Sequence, residues 1–145
     1  MAAQSPLQVN QFQVEAGMAR IGFSRVQLPR IERDVLRYRE GSSKADSVHL
    51  IPGLLRFGEC TLERGLVPAD DDFFKWMQTV HIGQAERRDV VVRLLDAQFN
   101  PVVSWLLRNC FPVALEWSVL DAQSSSVLIE SLRLAVEEVQ MLGGN

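Results

Sequence analysis

Apolar positions along this chain recur mostly at every second residue, and the longest such pattern runs from Asp89 to Pro112, DVVVRLLDAQFNPVVSWLLRNCFP. Val90, Val91, Val92, Leu94 and Leu95 make a first run of the length strands usually have. Asp96 to Pro101 predicts the turn, because Asp and Asn side chains bond nearby backbone and proline fixes its own φ. Val102 to Phe111 returns, with Val103, Trp105, Leu107, Asn109 and Phe111 on one face and Val102, Ser104, Leu106, Arg108 and Cys110 on the other. A hairpin so apolar on both faces is expected at the centre of a sheet, with its own core on one side and a neighbour on the other.

Toward the N-terminus, Gln11 to Glu15 alternates with Phe12 and Val14 inward. Phe23, Val26 and Leu28 predict a second short strand after an excursion between Gly17 and Gly22, and Pro29 interrupts it. Under period two, Ile31 to Glu40 (IERDVLRYRE) places Ile31, Arg33, Val35, Arg37 and Arg39 on one face. Glu32, Asp34, Leu36, Tyr38 and Glu40 take the other. Propensity allows a helix here, but Ile31, Val35, Leu36 and Tyr38 make a poor helical stripe, so a strand is expected, charged on both sides. Gly41 to Ser47 reads as a polar loop, and Leu55 to Gly65 as one further strand.

A helix is expected from Pro68-Ala69-Asp70-Asp71-Asp72 onward, since Phe73, Trp76, Met77 and Val80 share one helical stripe. Asp70 or Asp71 is expected to cap its free N–H groups, and Gly83 to end the region. Pro112 to Leu120 is another apolar stretch, followed by a polar loop from Asp121 to Ser126. Val127 to Leu142 fits helical spacing through Leu128, Leu132, Ala135, Val136, Val139 and Leu142. It also fits alternation through Leu128, Leu132, Leu134 and Val136, broken by Glu130; the residues alone leave this open.

The chain has 145 residues, 47% apolar and 23% charged, which fits one globular domain and excludes disordered and collagen-like classes. No apolar run approaches the roughly 20 residues that span a bilayer, so no membrane anchor is expected. The start, MAAQSPLQVNQF, has no secretory pattern, and synthesis in the cytoplasm is the expectation. A net charge of −3 argues against binding that neutralises phosphates. Arg outnumbers Lys thirteen to two, a bias that suits protein interfaces. Cys60 and Cys110 form no CxxC pair and are expected as buried, reduced thiols.

Chemistry-bearing motifs are lacking. His49 and His81 lie in no HExxH and near no Cys at ligand spacing, and GxSxG, GxxxxGK[ST] and GxGxxG do not occur. The triple Asp lacks a supporting ligand pattern and reads as a helix start. No catalytic, cofactor-binding or metal residues are therefore expected.

Several stretches, in order, resemble the tail tube proteins of contractile phages. They are YREG (Tyr38 to Gly41), LIPGLLRFGECTLERG (Leu50 to Gly65), the Trp-bearing helix around Trp76, RRDVVVRLLDAQFNPVVSW (Arg87 to Trp105), NCFPV (Asn109 to Val113) and SSVLIESLRL (Ser125 to Leu134). The resemblance extends from about Phe12 to Val139, over a family that includes the inner tubes of tailocins and extracellular contractile injection systems. The chain departs from the family pattern at Gln27, where Gly is frequent. It departs again at Cys110-Phe111-Pro112-Val113-Ala114, where Ala-Trp-Pro-Val-Lys is frequent.

The resemblance implies a mainly β fold, two antiparallel sheets forming a distorted barrel with one flanking helix, like the tube protein of type VI secretion. It favours strand over helix for Val127 to Val139. It implies a single tail-tube domain over residues 1–145, with a flexible N-terminus at 1–10 and an arm at 41–53 reaching neighbouring subunits. Six copies would form a ring, and rings would stack into a hollow tube. A contractile sheath, a baseplate and tube-initiator proteins are the implied partners, with protein or DNA cargo in the lumen. Tyr38, Arg39, Glu40, Gly41, Leu50, Pro52, Gly53 and Arg64 are the expected inter-subunit contact residues. A monomeric β-barrel that binds a small ligand in an apolar cavity is the alternative.

Overall fold

The computed structural model describes residues 5–17, 22–42, 44 and 47–143. Its strands are β1 (Phe12–Glu15), β2 (Arg25–Gln27), β3 (Ile31–Tyr38), β4 (His49–Phe57), β5 (Glu59–Gly65), β6 (Arg88–Leu95), β7 (Pro101–Trp117), β8 (Ile129–Ala135) and β9 (Glu138–Gly143). The helix α1 (Asp72–Gln78) stands between β5 and β6. The excursion expected between Gly17 and Gly22 falls on residues 18–21, outside the described residues, as do residues 1–4 of the expected N-terminal tail.

Strand β7 organises the body. Its first half pairs with β6 and β9, and β6 pairs in turn with β1, giving one antiparallel sheet. Its second half pairs with β8, which pairs with β5 and then β2, giving the other. The chain turns this corner twice at the same level. In β7 the register shifts between the pairs Arg88–Cys110 and Val90–Leu107, with Asn109 in the left-handed region at φ 54. Opposite it, β8 gives way to β9, and the Glu137 N–H donates to the Arg108 carbonyl at 3.1 Å. A bulge of this kind re-aims the side chains that follow it. Leu107 and Cys110 are consequently both buried, although strict alternation places them on opposite faces.

The two sheets enclose one core. Val14, Val90, Val92 and Leu107 of the first sheet lie in it with Cys60, Leu62, Leu132 and Leu134 of the second. The alternation expected for β1 holds, with Val14 in the core and Phe12 packed against it, and both cysteines are buried free thiols. Burial raises the thiol pKa of Cys60 and of Cys110 to about 12, because an apolar surround disfavours the thiolate. Helix α1 inserts Phe73 and Trp76 into the same core. The Trp76 indole N–H reaches the Glu86 carbonyl at 2.7 Å.

Several local expectations are corrected. The strand expected over Leu55 to Gly65 breaks at Gly58, whose N–H bonds the Arg30 carbonyl at 2.8 Å; a Cβ there would meet the Arg30 N at 3.2 Å. Residues 49–53 of the expected arm form the first half of β4. Asp71 stands at the N-cap of α1 without a side-chain cap bond; its carboxylate instead pairs with Lys75 at 3.3 Å. The helix ends at Gln78, before Gly83. Val127 to Leu142 is strand, as the resemblance favoured, but in two pieces, β8 and β9.

Candidate assembly interface

Strands β3 and β4 pair with each other and, among the described residues, with no other strand. The ladder Ile31–Phe57, Arg33–Leu55, Val35–Pro52, Arg37–Leu50 and Tyr38–His49 slips by one residue between Arg33 and Val35. Gly53 permits that slip, since a Cβ there would stand 3.0 Å from the Asp34 Cβ. The Arg33 guanidinium donates to the Gly53 carbonyl at 3.0 Å, and Arg56 pairs with Asp34 at 2.9 Å. These contacts hold the ribbon's twist without a core beneath it.

Both faces of the ribbon are wet. Ile31, Val35, Leu36, Tyr38, Leu50, Ile51, Leu54 and Leu55 are all exposed, Leu50 by 61% and Leu54 by 74%. An isolated two-stranded ribbon is marginal in water, and a concentration of exposed aliphatic side chains marks a surface built to be covered. Tyr38, Leu50, Pro52 and Gly53 lie on this ribbon, and Glu40 and Gly41 follow it as exposed residues. Arg39 lies beside them and makes an interaction of its own.

Arg64 lies elsewhere, and the expectation that it contacts a neighbour is corrected: its side chain has 0% exposure. It faces Glu130 across the β5–β8 ladder, and its Nε and Nη2 donate to Glu130 Oε1 at 3.3 and 3.2 Å. Nη2 also lies 3.4 Å from Asp70 Oδ1, and the guanidinium sits 3.8 Å above the Phe73 ring. The Trp117 indole N–H donates to Glu130 Oε2 at 2.9 Å. This cluster ties the segment leading into α1 to the far end of β7. In the alternation of β5 Arg64 shares a face with Cys60 and Leu62, and that spacing is the signal that could have found its burial.

The outer faces of the two sheets differ. On the second sheet Arg25, Glu59, Thr61, Glu63, Ser131 and Arg133 point outward, with Arg25 paired to Glu63 at 3.8 Å and Arg133 to Glu59 at 2.6 Å. On the first, Val91 and Leu106 pair across β6 and β7 and stay half-buried. Sheet edges at β1, β2 and β9 carry no further strand among the described residues. No group of three or more His, Cys, Asp or Glu among the described residues could hold a metal ion. No helix there is long and apolar enough to cross a membrane.

An open double sheet with a filled core and a projecting ribbon is the build of a subunit whose edges are completed by others. The family model for the T4-like virus tail tube protein gp19 matches residues 8–140, and the chain belongs to that family. Among solved structures it is similar to a chain of the PVC sheath-tube complex in the extended state, an extracellular contractile injection system. That match has 26% identity and a TM-score of 0.86, over 95% of this chain and 92% of that one. A chain of the PVC sheath/tube terminator is 26% identical at TM-score 0.87, over 98% of this chain and 100% of that one. Hcp1 from Flavobacterium johnsoniae shares the fold alone, at 17% identity and TM-score 0.56, over 92% of this chain and 95% of that one. We found no match among curated proteins. The mainly β, two-sheet distorted barrel with one flanking helix is the fold observed, and the barrel is left open.

Proposed function

We propose that the chain is the repeating structural subunit of the inner tube of a contractile phage-tail-like particle, with no catalytic role. Six copies join into a ring and rings stack into a hollow tube. A contractile sheath drives that tube through a target envelope, and a baseplate with its initiator proteins starts assembly. Membership of the tail tube family over residues 8–140 carries this reading. The β3–β4 ribbon supports it, because its uncovered apolar side chains need a neighbour. A ligand-binding barrel has no support: the interior is filled by Trp76, Phe73, Arg64 and the aliphatic core.

The ribbon and the following residues 41–48 are the arm that crosses to adjacent subunits, with Tyr38, Arg39, Glu40, Gly41, Leu50, Pro52 and Gly53 as contacts. The polar outer face of the second sheet lines the lumen, where self-paired charges let protein or DNA cargo slide without sticking. The subunit is made in the bacterial cytoplasm and becomes part of the particle. Size-exclusion chromatography with negative-stain microscopy tests the whole. Rings or rods are expected, and a lasting 16.3 kDa monomer at high concentration and beside its baseplate would refute it. Deletion of Ser42 to Asp46 tests the arm, which fails as an idea if tubes form at wild-type yield.

A further inference from the structure

Strand β7 is flanked by two exposed apolar features that a single chain leaves uncovered. Before it, the turn 96–100 holds Phe99 at φ 62, a left-handed conformation that strains a bulky residue by about 1–2 kcal/mol. Asp96 enforces that turn, its Oδ1 accepting the N–H groups of Gln98 and Asn100 at 2.9 Å each. The ring gains little packing in return, being 67% exposed. After β7, the loop 118–128 surrounds an open groove of about 530 Å³ lined by Val119, Leu120, Val127 and Leu128, with Asp121, Ser124 and Ser126 also at its wall. Leu120 is 83% exposed there. The loop is internally ordered: the Gln123 N–H reaches Asp121 Oδ1 at 3.0 Å, and Ser124 Oγ joins Ser126 Oγ at 2.9 Å.

We propose that Phe99 of one copy seats in the 118–128 groove of a second copy in the next ring of the tube. The chemistry is complementary, since an aromatic ring flanked by the amides of Gln98 and Asn100 meets aliphatic side chains flanked by hydroxyls and a carboxylate. Apolar centres with polar rims are the usual anatomy of such contacts. Size agrees as well, because a cavity of about 150 Å³ already admits benzene. Knob and groove lie at different ends of one strand, so each copy offers the knob to one neighbour and the groove to another, a heterologous contact that repeats without closing. With the open strand edges and the ribbon assigned to sideways joining, the strand ends are left for the contact along the tube. The second copy rests on the tube reading above.

The test is a double variant, Phe99→Cys with Leu120→Cys, assembled, oxidised and run on a denaturing gel; Cys60 and Cys110 are buried and stay silent. Covalent ladders extending past six chains are expected, and neither single variant forms them. No ladder, or one that stops at six, overturns the contact between rings. In parallel, Phe99→Gly relieves the strain and removes the knob, so free rings are expected with tubes at least tenfold shorter. Wild-type tube length in that variant, including tubes whose groove instead holds a baseplate protein, overturns the proposal. If the unaltered chain itself makes neither rings nor tubes, the failure belongs to the tube reading.

Discussion

Arg64 and Glu130 face each other across β5 and β8 and form an ion pair inside the core, with side-chain exposures of 0% and 2%. Arg64 Nη1 has no hydrogen-bond partner among the described residues, so the Glu130 carboxylate, the neighbouring Asp70 and the Phe73 ring hold the cluster. Removing one member of such a pair strands a buried charge, whereas replacing both by apolar groups does not. Arg64→Ala is expected to lower unfolding stability by about 3–5 kcal/mol. The double change Arg64→Met with Glu130→Leu is expected to restore most of that loss. Urea titrations of the four-member mutant cycle give the coupling directly, and additive losses would remove the pair from the stability account.

The corner of β7 depends on Asn109. A β-branched residue is disfavoured in the left-handed region, where Asn and Gly are tolerated. Asn109→Val is expected to destabilise the fold by about 1–3 kcal/mol, while Asn109→Gly stays within about 1 kcal/mol of wild type. Equal midpoints for the two variants in thermal unfolding would show that the bulge is not held by this residue.

The buried thiols set an alkaline limit. Both thiols titrate at about 12 in the folded chain, raised from 9.0. Below pH 9 this difference has no effect on stability. As pH rises from about 9 towards 12 the unfolded chain ionises first, and folding stability falls through that window. Stability measured by denaturant across pH 8 to 11 should decline less in a Cys60→Ala, Cys110→Ala variant than in wild type. An aromatic disulfide reagent at pH 8 should label neither thiol until denaturant is added.

On the ribbon, Leu50→Asp is expected to abolish rings yet change monomer stability by no more than about 0.5 kcal/mol, as is usual for an exposed site. Far-UV circular dichroism and sedimentation velocity separate the two effects. Rings at normal yield would remove Leu50 from the arm.

A lumen position for the second sheet predicts size-selective access. Ser131→Cys should react with a small maleimide in both free subunits and assembled tubes, but with a bulky polymer-linked maleimide only in free subunits. Full labelling of assembled tubes by the polymer would place that face outside.

Alternation along Gln11 to Glu15 made the core face of β1 legible, because period two reports one buried side directly. The turn at Asp96 was legible for the same local reason: its side chain bonds its own neighbours. Arg64 and Glu130 each stood as a charge at an inward position, two apparent breaks that are in fact one pair. Their partnership depends on strand register across 66 residues, which no local pattern carries. The Asn109 bulge was hidden because it is a backbone event with an ordinary side chain. The strand Ile31 to Tyr38 was legible, but its pairing with β4 was not, because the partner lies across a polar turn and the slip at Gly53 breaks the alternation.

Because β7 runs unbroken from one sheet into the other, a push on the turn before it travels through peptide bonds into the second layer. Side-chain packing can creep under sustained thrust; a covalent backbone does not. Shortening along that path therefore requires bending at the Asn109 corner or tearing a strand from its neighbours, which makes the subunit a stiff element in a rod that is fired once.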